Sequence, residues 1–158
     1  MDELELEFEL DSRLNSDCIT LGDFPLSRLL LMNDANYPWF ILVPRRAEVS
    51  EIYHLSPSDQ GQLLHESSFL SENLHDVFDA DKMNVAALGN VVKQLHVHHV
   101  VRFEGDPAWP APVWGAVAAK PYTQEQIREI HQKLQMKFDK KNDANGCFWC
   151  YITKTIAI

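Results

Sequence analysis

Three of the seven histidines of this chain lie within four positions, at His96, His98 and His99. The stretch from residue 94 to residue 103 is otherwise mostly apolar, which predicts a β-strand. Successive side chains of a strand lie on opposite faces of the sheet. One face then carries Gln94, His96, His98, Val100 and Arg102, and the other carries Leu95, Val97, His99, Val101 and Phe103. Two imidazoles, an amide and a guanidinium are therefore predicted to lie side by side.

Two imidazoles on one strand face permit four interpretations. The first is a strand with incidental surface histidines, and the second is a binding face without chemistry. The third is a zinc site formed by His96 and His98, which needs a third protein ligand; no Cys or His lies at a convincing local spacing to supply it. The fourth is nucleophilic catalysis, in which one histidine forms a covalent intermediate and a second lies near a phosphate. The residue pattern alone leaves these four open.

The elements around the histidine segment follow from hydrophobic periodicity, turn residues and helix caps. Ser56-Pro57-Ser58-Asp59 begins a helix at about 57–80, and the capping box Thr123–Gln126 begins another that runs to about Phe138. Residues 11–16 form a turn or a short helix. Strands are predicted at 3–10, 18–21, 28–32, 39–43, 83–88 and 94–103. The order predicts an α+β fold with a mainly antiparallel sheet of about five strands.

Composition limits the kinds of partner. The chain has 158 residues, 14 Lys and Arg against 23 Asp and Glu, and a net charge of −9. Long polyanions and anionic membranes need clustered cations, so we expect neither a nucleic acid nor a membrane as a partner. A small anion held locally by backbone N–H groups is compatible with this charge. Three cysteines, too few for a disulfide framework, favour reduced thiols and a cytoplasmic location.

The histidine segment resembles the signature of the histidine triad (HIT) superfamily of nucleotide hydrolases and transferases, His-φ-His-φ-His-φ-φ, where φ is apolar. Gln94 takes the first histidine position, His96 the middle one and His98 the last. Residues 29–44 resemble the strand–turn–strand of that family, and the likeness covers about residues 17–103. Residues 83–94 and 106–115 are similar to a bacterial subgroup that has Gln at the first triad position.

This resemblance implies a HIT-like domain over residues 1–138, followed by a tail at 139–158. It implies that His96 attacks the α-phosphate of a nucleotide and forms a covalent nucleotidyl-histidine, while a backbone carbonyl fixes its tautomer. His98 would stabilise charge on the phosphate, and Gln94 could hydrogen-bond a phosphate or the neighbouring imidazole but could not act as an acid or base. Asn90 matches a phosphate-binding position of the family, and Asn33 matches a ribose-binding one.

The function implied is that of a hydrolase or transferase acting on a dinucleoside polyphosphate or a nucleoside phosphoramidate. A catalytically weak nucleotide sensor or adaptor on the same fold is the first alternative, and a His-x-His metal-binding domain is the second. The family requires no cofactor or metal for the covalent step, although a magnesium-bound nucleotide could be the substrate. The partners expected are a small nucleotide and a second copy of the chain, in a homodimer.

Other chemistry-bearing residues have simpler interpretations. His99, on the opposite strand face, is expected to be a structural histidine whose ring is hydrogen-bonded. Trp109 and Trp114 could stack on a base, although packing is the more common role of such residues. Cys147 and Cys150 form a lone C-x-x-C without the context of a zinc or redox site.

Overall fold

The computed structural model describes residues 7–145. A short 3₁₀ turn (Ile52–His54) precedes the second helix. The other elements, in chain order, are α1 (Ser12–Asp17), β1 (Cys18–Asp23), β2 (Ser27–Met32), β3 (Trp39–Pro44), α2 (Pro57–Phe78), β4 (Lys82–Ala86), β5 (Val97–Arg102) and α3 (Gln124–Asn145).

The five strands form one antiparallel sheet in the order β1-β2-β3-β5-β4. Strands β2 and β3 pair directly, as the turn-rich spacer 33–38 predicted. Strand β5 lies between β3 and β4, with His98 opposite Ile41 on one side and Ala86 on the other. The prediction of an α+β fold with a five-stranded antiparallel sheet, a long central helix and a C-terminal helix is confirmed.

Helices α2 and α3 cover one face of this sheet. The core on that side includes Leu29, Leu31, Phe40, Leu42 and Val101 from the strands, Leu70 and Leu74 from α2, and Ile127, Leu134 and Phe138 from α3. Both helix starts have the predicted caps. Ser56 Oγ accepts from the N–H of Asp59, while Thr123 and Gln126 exchange side chain to backbone hydrogen bonds.

Glu66 is a fully buried carboxylate on α2, and it fastens this helix to the β1–β2 turn. Its two oxygens accept from the N–H groups of Leu26, at 2.8 Å, and Ser27, at 2.9 Å. Gln62 donates a third hydrogen bond to the same carboxylate. Since a buried charge is tolerated only when its hydrogen bonds are made, this carboxylate has a structural role and is not available for chemistry.

Within residues 7–145, no long helix covers the opposite face of the sheet. It is covered by α1, through Leu14, and by the segment 104–122, through Val113 and the half-buried Trp114. The side chains beneath them on the sheet are Leu30, Trp39, Ile41, Val43 and Val100. The two larger cavities described below lie among these short elements and the strands beneath them.

Three details differ from the sequence predictions. Residues 7–10 of the predicted strand 3–10 are not a strand; Phe8 and Leu10 instead pack against the cluster beneath α1. Strand β5 begins at Val97 rather than at residue 94. Helix α3 continues to Asn145, through the polar residues after Phe138. The predictions for residues 3–6 and for Cys147 and Cys150 lie outside the described residues.

The late start of β5 has a physical reason. The partner strand β3 ends at Pro44, which has no N–H to donate to a ladder. The N–H of Leu95 donates to the carbonyl of Val49 instead, at 2.9 Å. The chain therefore joins the sheet only at Val97, opposite Leu42.

None of the helices in the described part of the chain is both long and apolar enough to span a bilayer.

Candidate active site

His96 lies one residue before β5, with 7% of its surface exposed. Its Nδ1 lies 2.7 Å from the backbone carbonyl oxygen of Gln94. A carbonyl only accepts, so Nδ1 carries the hydrogen of this bond. In the neutral ring, Nε2 then keeps its lone pair and is the nitrogen available as a nucleophile.

His98, the next residue on the same face, is held in the opposite tautomer. The indole Nε1 of Trp39 donates to His98 Nδ1, and the two nitrogens are 2.9 Å apart. An indole N–H only donates, so His98 Nδ1 must be the unprotonated nitrogen. The hydrogen of the neutral ring is therefore on Nε2, which makes Nε2 a donor for a ligand oxygen.

The environment keeps His98 uncharged. Burial, followed by the neighbouring His96 and His99, lowers the pKa of His98 from its ordinary 6.5 to about 3. The ring of Trp114 packs edge-on against it, with 5.2 Å between ring centroids. The rings of His96 and His98 are 4.9 Å apart. The site therefore pairs a lone-pair nitrogen with a neutral N–H donor on adjacent rings.

Both histidines line a cavity of about 320 Å³, which we call the histidine cavity. Its walls include Arg13 from α1, Trp39 from β3, Trp114 from the segment 104–122, and the exposed Asn90 from the loop before β5. The structure thus brings together three of the predicted site residues: Asn90, His96 and His98.

Asn33 lies in a second cavity of about 420 Å³, which we call the adjoining cavity. The two cavities share Asp17, Met32, Trp39 and Trp114 as walls. Asn33 Oδ1 accepts from the N–H of Tyr122, at 2.8 Å. The predicted ribose position is therefore next to the histidine cavity, and part of its hydrogen-bonding capacity fastens the segment 118–122 to the β2–β3 turn.

Gln94 differs most from its predicted placement. It precedes the strand, and both polar atoms of its amide bond the N-terminal segment: Oε1 accepts from the N–H of Asp11 and Nε2 donates to the carbonyl of Glu9, each at 2.8 Å. It lines a separate small cavity with His96, not the histidine cavity. Each polar atom of this amide thus already has one partner within the protein, and a hydrogen bond from Gln94 to a phosphate stays a prediction.

Arg102 shares the strand face of His98, as predicted, but it is only 1% exposed and has a structural role. Its guanidinium bonds both oxygens of Asp106, the carbonyl of Ala111 and Oδ1 of Asn84. The ring of Trp109 lies against it, at 5.5 Å. This cluster fixes the segment 104–122 to the sheet, and Trp114 of that segment forms part of the cavity wall. Trp109 thus packs against the guanidinium of Arg102, whereas Trp114 both packs and lines the two cavities.

His99 has the structural role predicted for it. Its Nδ1 donates to the carbonyl of Val97, so Nε2 accepts from the hydroxyl of Ser67 on α2, at 2.7 Å. The ring is fully buried. Burial lowers its pKa to about 4, partly opposed by the hydrogen bond to Val97.

These two buried histidines predict acid sensitivity of the fold. In the unfolded chain each takes up a proton near pH 6.5, whereas in the folded chain the pKa is about 3 for His98 and about 4 for His99. Since the unfolded state binds more protons in this window, the free energy of unfolding falls as the pH falls. The loss between pH 8 and pH 5 is expected to be about 2 kcal/mol for each histidine.

Urea unfolding at several pH values measures this effect. The His99→Gln variant is expected to lose about half of the pH dependence, whatever its stability at pH 8, with the exposed His54→Gln as a comparison. An unchanged pH dependence in His99→Gln would show that folding does not lower the pKa of His99.

The metal interpretation of His96 and His98 gains no third ligand. Within residues 7–145, no group of three or more His, Cys, Asp or Glu side chains is arranged to hold a metal ion. Both Nδ1 atoms are also already engaged in hydrogen bonds.

Trp39 and Arg13 are the two site residues that the sequence did not single out. Trp39 is directly opposite Val100, which makes it a diagonal neighbour of His98 across the β3–β5 pair. The register of these two strands is the signal that would have identified it. Arg13 belongs to a turn-like segment whose position against the sheet no local pattern gives.

Known proteins share both the domain and the architecture. The model of the HIT domain family matches residues 13–105. A histidine triad protein from Marinobacter aquaeolei is 52% identical, with a TM-score of 0.83 over 85% of this chain and 98% of the other. One from Bradyrhizobium japonicum is 45% identical, with a TM-score of 0.82 over 84% and 98%.

More distant similarity extends only to the fold. A diadenosine triphosphate hydrolase from Plasmodium falciparum is 16% identical, with a TM-score of 0.57 over 89% of this chain and 88% of the other. No curated protein sequence matches the chain. Because the family model covers more than half of the chain, and the two bacterial proteins align with it over nearly their full length, the chain belongs to the HIT domain family.

Proposed function

We propose that this protein binds a nucleotide and transfers its nucleotidyl group to His96, as a hydrolase or transferase acting at the α-phosphate. The observation that carries this proposal is the pair of opposite tautomers. His96 Nδ1 is bonded to a carbonyl and His98 Nδ1 to an indole N–H, so a nucleophilic Nε2 lies beside a donor Nε2–H in one cavity. Two incidental surface histidines would not need hydrogen bonds that fix opposite tautomers.

The chemical step uses both nitrogens. His96 Nε2 attacks the α-phosphorus, a P–N bond forms, and the bond to the leaving group breaks with its electron pair remaining on the leaving atom. His98 Nε2–H donates to a non-bridging oxygen, where charge increases in the transition state. A water oxygen then attacks the phosphorus, the P–N electron pair returns to His96, and the water proton passes to solvent.

The two cavities suit the two ends of such a substrate. The histidine cavity holds the reacting groups and Asn90, whereas the adjoining cavity offers Asn33 and apolar walls from Val113 and Val117. We place the phosphate in the first and the nucleoside in the second. Trp39 and Trp114, which belong to both walls, are then beside the joint between sugar and phosphate.

Intact-mass spectrometry after rapid mixing with a nucleoside phosphoramidate tests the proposal. The wild-type chain is expected to gain the mass of one nucleotidyl group and to release free nucleotide on longer incubation. Binding of nucleotide with neither adduct nor product would favour the alternative function, a sensor or adaptor. Stoichiometric zinc that is lost in a His98→Ala variant would support the metal-binding alternative.

A homodimer, the bacterial subgroup with Gln at the first triad position, and a cytoplasmic location belong to the same proposal. Strand β4 is at the edge of the sheet, and the half-exposed Val85 and Leu88 lie on it and just after it. An edge strand with apolar neighbours favours pairing with another chain. Sedimentation equilibrium is expected to give twice the chain mass of 18.2 kDa.

A further inference from the structure

The N-terminal segment, α1 and the loop before β5 form one connected unit around the histidine cavity. Gln94 links the loop before β5 to the N-terminal segment, because its amide forms hydrogen bonds with the backbone of Glu9 and Asp11, more than 80 residues away along the chain. Both bonds are 2.8 Å long, and together they use the acceptor and a donor of the same amide. A histidine at this position could not make this two-sided contact, since its neutral ring has its donor and acceptor on different edges.

Asp11 passes this constraint to α1. It caps the helix, with Oδ1 accepting from the N–H of Arg13 at 2.8 Å, and its carbonyl accepts from the N–H of Asn15. The other end of α1 is fixed as well, because the carbonyl of Asp17 accepts from the N–H of Asn33, and Leu14 is buried against the sheet. A six-residue helix would not be stable alone, so these contacts determine where its side chains lie.

Arg13 is the residue that this arrangement brings to the histidine cavity. Of the described residues lining that cavity, it alone has a permanent positive charge. His98 is neutral in its tautomer-locked state, and the chain as a whole has a net charge of −9. The ion pair of Arg13 with Asp17 is 3.9 Å long and exposed, so it contributes little and leaves the guanidinium free to bind a ligand.

The position of Arg13 indicates which phosphate it would meet. Of these two cavities, Arg13 lines the histidine cavity and not the adjoining one, whereas Asn33 lines the adjoining cavity and not the histidine cavity. With the nucleoside in the adjoining cavity and the α-phosphate at His96, the rest of the histidine cavity, whose walls include Arg13, is available to the next group of the substrate. A guanidinium there suits a phosphate, to which it can donate two parallel hydrogen bonds.

We propose that Arg13, positioned by Gln94 through the N-terminal segment, binds the phosphate beyond the α-phosphate. This inference rests on the function proposed above and narrows the substrate class to nucleoside di- and polyphosphates, in preference to α-phosphate derivatives with a neutral leaving group. Gln94 is then a positioning residue, and its place at the first triad position serves substrate recognition rather than proton transfer.

Calorimetric titration with AMP and ADP tests the inference. The wild-type chain is expected to bind ADP about tenfold more tightly than AMP, the effect of one charge-assisted hydrogen-bonded contact. Arg13→Gln should bring the two affinities close together without changing that for AMP, whereas the exposed Arg128→Gln on α3 should retain the preference. Gln94→Ala should reduce the preference for ADP over AMP. In this variant the backbone N–H of Asp11 should exchange its hydrogen faster, because Gln94 Oε1, which accepts from it, is removed.

Each result has a separate meaning. If neither nucleotide binds, the proposed function and this inference both fail. If both bind and Arg13→Gln keeps the wild-type preference for ADP, only the inference fails. If Arg13→Gln removes the preference but Gln94→Ala changes neither it nor the Asp11 exchange rate, the positioning role of Gln94 is wrong.

Discussion

Replacing His96 with alanine is expected to abolish the nucleotidyl adduct and to lower kcat by a factor on the order of 10⁵ to 10⁶, as for the loss of other enzymatic nucleophiles. The reason is geometric as well as chemical. His96 Nε2 has its lone pair because Nδ1 is fixed by the Gln94 carbonyl. Rapid-quench mass spectrometry and steady-state turnover with the same nucleoside phosphoramidate measure the two effects.

His99→Gln is the matched control for this substitution. It removes a histidine from the same part of the chain, but one that lies on the opposite face and bonds Ser67 and Val97. It is expected to form the adduct at a rate close to that of the wild-type chain. An adduct that persists in His96→Ala would assign the nucleophile to another residue. The same conclusion would follow if peptide mapping of the wild-type adduct showed that His96 is unmodified.

Local sequence patterns predicted the elements that hold this site. Alternation along the histidine segment correctly separated His98, Val100 and Arg102 from Val97, His99 and Val101, because the pleat of a strand is a local property. The cap at Ser56 and the apolar period after it predicted α2 within two residues of its end. Turn residues between β2 and β3 predicted their pairing.

Contacts between distant segments account for what the sequence did not predict. The alternation places Gln94 on the strand face only if it is extended three residues beyond the start of β5 at Val97, and the end of β3 at Pro44 is what shortens the ladder. The partners of its amide lie at residues 9 and 11, in a stretch that alternates acidic and apolar side chains but forms no strand. Packing of Phe8 and Leu10 against the sheet overrides that periodicity.

The carbonyl of Gln94 and its side chain illustrate the difference within one residue. The backbone interaction with His96 was expected from the family resemblance, and it does not depend on the side chain present at position 94. The side-chain interactions depend on an N-terminal segment whose location follows from tertiary packing alone. The tautomer of His96 therefore does not depend on the side chain at position 94, whereas the contacts that hold α1 do.

His98→Ala is expected to lower the rate of adduct formation by about 10² to 10³, the usual effect of removing one donor from a site of developing negative charge. His98→Gln should recover part of this loss, since its amide can place an N–H close to the position of His98 Nε2. Pre-steady-state adduct formation measures both variants. Equal rates for wild type and His98→Ala would remove His98 from the mechanism.

Trp39→Phe tests whether the tautomer, and not only the imidazole, matters. Without the indole donor, His98 Nδ1 is free to carry the hydrogen, so a fraction of the molecules presents a lone pair instead of an N–H to the phosphate. The rate of adduct formation is expected to fall about two- to tenfold, which corresponds to the net free energy of one hydrogen bond. Trp109→Phe, which alters a tryptophan that contacts Arg102 and not His98, is the matched control.

A spectroscopic readout separates this effect from a general loss of packing around Trp39. In the wild-type chain, ¹⁵N chemical shifts should show His98 protonated at Nε2 and His96 at Nδ1, and the pKa of His98 should remain near 3. In Trp39→Phe the His98 signals should shift towards a mixture of tautomers, and its pKa should rise, because the bond that favoured the neutral ring is lost. If the activity fell while His98 kept its tautomer and pKa, Trp39 would act through packing, and the indole hydrogen bond would have no part in the chemistry.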